Sequence, residues 1–229
     1  MGLNEKFFQT AANTEFSAVY NGTTGVMISN LYNIFKGTIS LWYKASTPSA
    51  ETYLFSSALG SSSRKGVNVY FQPSGQIQYA IAQGTSGTLA SNVITSGSNN
   101  FFDGNFHNLM ITWDLSSSGT NAYLYVDNSQ KLSAAATTGN WVANENSSFV
   151  LGLGCYALGQ SGGGGTFQGN LDETVIYNRV LSSSERSTLY NRSGIPTGEQ
   201  AHYKFDNNFN DETGNNNATA QYITFGPGI

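Results

Sequence analysis

The sequence predicts an all-β protein in which two antiparallel sheets form a sandwich, with one short helix near residues 183–191. Three observations predict this fold class. Runs in which apolar and polar residues alternate recur along the chain, and residues typical of turns separate them. Charged residues make up only 10% of the 229 residues, and Ser, Thr, Asn and Gly are frequent, which suits short strands joined by polar turns. Only the segment after Leu181 carries a clear helix-start pattern.

The predicted strands are rich in β-branched and aromatic residues, and turn-forming residues separate them. In the run Thr38–Lys44, alternation places Ile39, Leu41 and Tyr43 on one face, where a core would form. The turn Pro73-Ser74-Gly75 predicts a hairpin from the two runs that flank it. The complete set of predicted strands covers residues 18–20, 25–28, 38–44, 53–56, 67–71, 76–82, 106–113, 122–126, 149–153 and 171–177.

The predicted helix follows the strand Leu171–Tyr177. Ser182 stands three residues before Glu185, and this spacing lets the two side chains satisfy backbone N–H groups at a helix start. The pattern therefore predicts a helix from about Ser184 to Tyr190.

Net charge and the length of apolar runs argue against nucleic acid and membranes as partners. The net charge is −4 and no basic stripe exists, so nucleic acid is not an expected partner. No apolar run is long enough for membrane insertion, and residues 1–6 lack the basic and apolar pattern of a signal peptide. The low charge leaves little repulsion between copies, which favours a protein that packs against others.

Four segments follow one another in the order and spacing of a known family. They are T-I-S-L-W-Y-K at 38–44, G-N-F-H-N-L at 104–109, Y-L-Y-V-D-N at 123–128, and G-N-L-D-E-T-V-I-Y-N-R-V-L-S-S-S-E at 169–185. The ordered set resembles the laminin-G-like (LamG/pentraxin-type) jelly-roll domains of the concanavalin A-like lectin/glucanase superfamily. The resemblance extends over roughly residues 16–190 and implies a jelly-roll sandwich.

The C-terminal tail resembles the strand that opens the domain in most members of this family. It reads A-H-Y-K-F-D-N-N-F-N-D-E-T-G-N at 201–215. We therefore divide the chain into a sandwich (1–192), a linker (193–200) and a tail strand (201–229). The tail either completes its own sandwich, as in a circular permutation, or is donated to a neighbouring copy. Closure within one chain is favoured because sandwich termini usually lie close together.

No catalytic pattern stands out. Glucanases of this superfamily carry E-x-D-x-x-E on one strand, so that the acids share a face. Here the corresponding residues are N-L-D-E-T-V, and alternation would direct Asp172 and Glu173 to opposite faces. His107 and His202 are the only histidines, and no zinc or phosphate-loop motif is present. The sequence therefore predicts a protein that is not an enzyme, and it argues against a glycoside hydrolase.

Sugar binding usually needs an aromatic surface and nearby polar groups. Trp141 lies in a polar loop, although a loop tryptophan also commonly packs beneath its own loop. Tyr156 lies beside a run of glycines, which permit close approach of a ligand to the backbone. The predicted ligand-binding residues are Trp141, Tyr156, Asn140, Asn144, Gly163 and Gly164.

The resemblance also implies a candidate calcium site, since some family members hold calcium at the rim or between the first and last strands. The matching residues are Asp211, Asn215 and Asp172, whose oxygen atoms suit calcium. The alternative is that residues 211–214 form a simple Asx-type turn. No other cofactor is expected.

The sequence thus predicts a non-enzymatic module for surface recognition, with glycans or cell-surface polysaccharide as partners. The expected setting is a viral or other multi-subunit particle, as a capsid decoration or fibre protein at the virion or extracellular surface. The protein would be a homo-oligomer or bound to other subunits of a larger particle. The rival hypothesis is a structural protein that cements neighbouring subunits and binds no sugar.

Overall fold

The computed structural model describes residues 15–22, 25–31, 36–59, 66–83, 87–95, 101–114, 119–136, 149–155, 165–220 and 223–229. Within these residues the chain forms sixteen strands and one helix, and the strands make two sheets of eight. The predicted all-β sandwich with one short helix is confirmed. The described helix is too short to cross a membrane.

The first sheet contains only antiparallel pairs. Its strands are β1 (Phe16–Asn21), β3 (Lys36–Ser46), β8 (Asp103–Asp114), β9 (Gly119–Val126), β10 (Ser129–Ala136), β13 (Gln168–Tyr177), β14 (Glu199–Tyr203) and β16 (Thr224–Pro227). Their order is β10-β9-β8-β3-β13-β1-β16, and β14 pairs with the half of β13 that β1 does not cover.

The second sheet is antiparallel except for one short parallel pair. Its strands are β2 (Val26–Leu31), β4 (Thr52–Leu59), β5 (Gly66–Phe71), β6 (Gln76–Gln83), β7 (Gly87–Thr95), β11 (Phe149–Leu153), β12 (Gly165–Thr166) and β15 (Thr219–Ala220). Their order is β15-β2-β11-β4-β5-β6-β7, and β12 runs parallel to β4. The predicted hairpin at residues 73–75 is confirmed, because β5 and β6 pair across it.

The core lies between the two sheets. Ile39, Leu41 and Tyr43 of β3 share the core face, as alternation predicts. The Tyr43 ring lies 4.9 Å from the Phe71 ring of the second sheet, centroid to centroid, so the two layers meet through aromatic side chains. Burial of this apolar surface is the main stabilising contribution to such a sandwich.

The helix α1 (Ser183–Tyr190) starts one residue before the predicted position. The Ser182 side chain accepts a hydrogen bond from the Glu185 N–H, and the Glu185 carboxylate accepts one from the Ser182 N–H, so the predicted capping box is confirmed. Arg179 lies 2.7 Å from Glu185, and with the Ser182 N–H it lowers the pKa of Glu185 to about 2. Leu189 packs with Val175 outside the first sheet, so the helix covers part of that outer face.

A β-bulge interrupts β13 at its contact with β3. Asp172 lies opposite Trp42, whereas Val175 lies opposite Ser40, so three steps along β13 correspond to two along β3. Glu173 has a φ of 41°, which is a left-handed conformation that few non-glycine residues adopt. Because directly opposed residues share a face, the bulge shifts the alternation of β13 by one residue.

The tail adds strands to both sheets of its own chain. β14 pairs with β13, β15 with β2, and β16 with β1. Ala201, Tyr203 and Phe205 are buried in the main core. The tail therefore contributes core side chains as well as backbone pairing.

Candidate binding site

A groove of about 670 Å³ opens among the described residues. Its walls come from the end of β1 (21–22), from the end of β3 with the loop that follows (44–50), and from β12 and the start of β13 (165–170). Thr52 and Gly104 complete the lining. We call it the polar groove, and its volume lies within the range of small-molecule sites.

Glycine makes the close strand packing beside the polar groove possible. Gly169 has a φ of 147°, and a Cβ atom there would lie 2.3 Å from the carbonyl oxygen of Lys44. The Thr166 hydroxyl of β12 donates a hydrogen bond to the carbonyl of Gly22, which connects β12 to the end of β1. Phe167, which lies between the groove residues Thr166 and Gly169, is buried in the core. Alternation therefore leaves the polar residues of this segment free to line the groove.

The lining of the polar groove combines hydroxyl and amide side chains with small apolar residues, and it is almost uncharged. Apart from Lys44, its residues carry hydroxyls, amides or small apolar groups. Gln168 is exposed, and its side chain forms no hydrogen bond to the part of the chain that the structure describes. The buried Thr52 hydroxyl also has no hydrogen-bond partner among the described residues, although a partner or ordered water is the rule for such groups. Amides and hydroxyls are the groups that pair with sugar hydroxyls.

The six predicted ligand-binding residues lie outside the described residues. Trp141, Asn140 and Asn144 belong to the segment 137–148, and Tyr156, Gly163 and Gly164 to the segment 156–164. The second segment directly precedes Gly165, which lines the polar groove. The predictions at these positions stay predictions.

Sequence reasoning did not single out Lys44, Gln168 or Asn170. The sequence feature that could have identified them is that each is a polar residue directly beside an apolar residue that is buried. Lys44 directly follows the core residue Tyr43, and Asn170 directly precedes the core residue Leu171. An isolated polar residue at such a position is usually only solvent-exposed, so the signal becomes useful once the strands are known to meet.

The surroundings of Asp211 do not favour a cation. Its carboxylate accepts hydrogen bonds from the backbone N–H groups of His202 (2.8 Å), Thr213 (3.0 Å) and Asn216 (3.0 Å). Burial raises the pKa of Asp211, but these bonds and the Thr213 hydroxyl outweigh burial and lower it overall. The Gly214 N–H donates to the Asp211 carbonyl, so residues 211–214 form a turn. N–H donors occupy the positions that calcium would need.

The other two calcium candidates do not complete a site around Asp211. Asn215 donates its backbone N–H to the Asp211 carboxylate (3.3 Å). Asp172 is buried and accepts the N–H groups of Glu173 (2.9 Å) and Ile229 (3.2 Å). Among the described residues, no group of three or more His, Cys, Asp or Glu side chains could hold a metal. Calcium stays a prediction that this geometry does not support.

A second cavity, of about 120 Å³, lies on the outer face of the first sheet beneath the helix. Trp42, Val175 and Leu189 line it together with Glu173 and His202. Oε2 of Glu173 lies 2.7 Å from Nε2 of His202, which in turn is opposite Val175 in the β13–β14 register. Glu173 therefore faces the same side of the sheet as these residues.

The prediction that Asp172 and Glu173 point to opposite faces is wrong, because the bulge breaks the alternation on which it was based. The shared face still does not make a glycosidase site. Asp172 is 2% exposed, and the adjoining cavity is far smaller than the roughly 300 Å³ or more of typical ligand sites.

A family model, Laminin_G_3, described as the concanavalin A-like lectin/glucanases superfamily, matches residues 21–185. No curated protein matches the sequence significantly.

Among solved structures, a candidate carbohydrate-binding protein from Bacteroides ovatus is 13% identical with a TM-score of 0.66, covering 96% of this chain and 61% of that one. A heptameric SAP-like pentraxin from Limulus polyphemus is 13% identical with a TM-score of 0.65, covering 95% and 97%. The CBM40 of Ruminococcus gnavus IT-sialidase, bound to α2,6 sialyllactose, is 15% identical with a TM-score of 0.52, covering 69% and 84%. At these identities the likeness shows the fold.

Proposed function

Since the chain belongs to the concanavalin A-like lectin/glucanase superfamily, we propose that it is a non-enzymatic module that binds carbohydrate in the polar groove. The observation that carries the proposal is the groove itself, with a volume of about 670 Å³ and a lining of amides and hydroxyls. The cavity beneath the helix is far smaller, at about 120 Å³.

Two further observations support a binding role over catalysis. Two structures with the same fold are described as a candidate carbohydrate-binding protein and as a carbohydrate-binding module bound to sialyllactose. In this chain, the polar groove has no carboxylate among its lining residues. Glycoside hydrolysis usually requires two carboxyl groups at the scissile bond, so this groove is suited to binding.

The test is a glycan array probed with three proteins. The wild type should bind a defined set of glycans. The substitution Ser49→Trp fills the polar groove with a bulky ring and should lower that binding by about tenfold or more. The matched control is Ser129→Trp, which places the same ring at an exposed position of β10, several strands away in the first sheet. Equal binding by all three proteins would show that the groove is not the site.

For the setting, we propose a multi-subunit particle at a virion or extracellular surface, with the protein as a capsid decoration or fibre subunit. The low content of charged residues, 10%, supports packing against other subunits. The rival function is a structural cement without sugar binding. Stable oligomers in light scattering together with a blank glycan array would favour the rival.

A further inference from the structure

We propose that the polar groove selects an acidic sugar and that Lys44 determines this specificity by pairing with the sugar's carboxylate. The inference rests on the proposed sugar-binding function of the groove and names the class of sugar. It comes from the charge and the register of the residues that line the groove.

The charge of the groove is unbalanced. Lys44 is its one charged lining residue, and it is exposed. Within the described residues Lys44 forms no ion pair, and the same is true of Lys36, Lys131 and Arg186, but of these four cations only Lys44 lines the groove. An uncompensated cation in a chain of net charge −4 favours an anionic group in the ligand.

The position of Lys44 is defined by its neighbours. Its Nζ atom lies 5.7 Å from the centroid of the Phe106 ring, a geometry in which the ring face attracts the ammonium group. Phe106 is directly opposite Lys44 in the β3–β8 register. The contact restricts the Lys44 side chain before binding, so that ordering this side chain on binding costs less conformational entropy.

Two amides lie on the same face as Lys44. Asn170 is directly opposite Lys44 in the β3–β13 register, and opposed residues share a face. Gln168 lies two residues before Asn170 and pairs regularly with β1, so it shares that face. The Asn170 amide donates a hydrogen bond to the Ser17 hydroxyl at 2.8 Å, which orients it.

One cation beside two amides is complementary to an acidic sugar. The carboxylate of a hexuronate or a sialate would pair with Lys44, and the amides would bind ring hydroxyls. A neutral sugar would satisfy the amides and leave Lys44 without a partner. The groove should therefore prefer the acidic member of a matched pair of sugars.

The experiment measures affinity by calorimetry for two matched pairs, trigalacturonate against its methyl ester and sialyllactose against lactose. The wild type should prefer the acid in at least one pair, and the pair that responds identifies the source of the carboxylate. Lys44→Met should lower the affinity for that acid about five- to tenfold, with no change in the affinity for the neutral sugar. Lys44→Arg should keep the preference for the acid.

The matched control is Lys131→Met. Lys131 makes the same kind of contact, with its Nζ atom 5.7 Å from the Phe101 ring, but lies outside the groove. This variant should bind like the wild type. Higher salt should reduce the preference for the acid, because an exposed ion pair is screened.

The possible failures are distinguishable. If sugars bind and Ser49→Trp abolishes binding, but acid and neutral sugars bind alike, the inference about Lys44 is overturned and the proposed function stands. If Lys44→Met lowers the affinity for both members of a pair equally, the inference is also overturned, because Lys44 then contributes to binding without distinguishing the acid from the neutral sugar. If no glycan in either experiment binds, both the inference and the proposed function are wrong.

Discussion

Nε2 of His202 lies 2.7 Å from Oε2 of Glu173, and this contact joins the tail strand β14 to the bulge in β13. The His202 side chain is 8% exposed and that of Glu173 is 22% exposed, so the pair is largely shielded from water. A polar contact of this kind is costly to break from one side, because the remaining partner stays buried without its hydrogen bond. The pair therefore couples the tail to the rest of the sandwich.

The first prediction concerns this pair. Glu173→Gln keeps the shape of the side chain but removes its charge, and it should lower the free energy of unfolding by about 1–2 kcal/mol. Urea denaturation at neutral pH measures the change. The control is Glu212→Gln, which breaks the exposed contact of Glu212 with Lys204 (2.8 Å) and should cost less than about 0.5 kcal/mol. Equal losses of unfolding free energy in the two variants would show that the buried pair stabilises the fold no more than the exposed pair does.

The second prediction concerns Asp172, whose carboxyl group is buried beside the C-terminal residues. Burial is the main cause that raises its pKa from the ordinary value of 3.8 to about 8, and the neighbouring charge of Glu173 adds to it. Between these two values the folded protein binds a proton that the unfolded chain has lost. The contribution of Asp172 therefore makes the protein less stable as the pH rises through this interval.

Urea denaturation from pH 4.5 to 8.5 checks the effect of Asp172. Relative to Asp172→Asn, which cannot titrate, the wild type should lose at least about 1 kcal/mol of unfolding free energy between pH 5 and pH 8. The comparison with the variant removes the contributions of other titrating groups. Parallel pH profiles for the two proteins would contradict the raised pKa.

The third prediction compares two glycines that line the polar groove. A Cβ atom at Gly169 would lie 2.3 Å from the Lys44 carbonyl oxygen and 2.7 Å from the Phe167 ring, whereas one at Gly104 would meet no atom within 4 Å. Gly104→Ala should therefore cost only the backbone strain of its positive φ, about 1–2 kcal/mol. Gly169→Ala carries a steric clash in addition and should cost about 3 kcal/mol or more. Thermal and urea unfolding would measure both, and similar losses would mean that β3 and β13 can separate at little cost.

Local patterns in the sequence are sufficient for much of the fold. Alternation in β3 predicts that Ile39, Leu41 and Tyr43 face the core, and the spacing of Ser182 and Glu185 predicts the helix start. These features depend on neighbours within a few residues, so they can be read directly. The family resemblance extends the prediction to a jelly-roll sandwich, which local patterns alone do not specify.

Features that depend on distant pairing are not accessible in this way. The bulge at Asp172–Glu173 accompanies the change of partner on one edge of β13, from β1 to β14, and β14 follows more than twenty residues later. The polar groove unites Asn21, Lys44 and Gln168, which are far apart in the chain. The edge strand β10 reads S-Q-K-L-S-A-A-A and contains no β-branched residue. Its pairing with β9 therefore depends on contacts with the neighbouring strand more than on the β propensity of its own residues.

The last prediction concerns the tail as a whole. A chain that ends at Gly194 loses β14, β15 and β16, and with them the core side chains of Ala201, Tyr203 and Phe205. Its unfolding free energy should fall by several kcal/mol, and it should aggregate, because one edge of β13 and one edge of β1 are left unpaired. Light scattering and urea denaturation of the truncated and full chains would measure both effects. A peptide covering residues 196–229, added in trans, should restore solubility. If the truncated chain instead stays a stable, soluble monomer and only fails to assemble, the tail acts between copies, since the sandwich would then be complete without it.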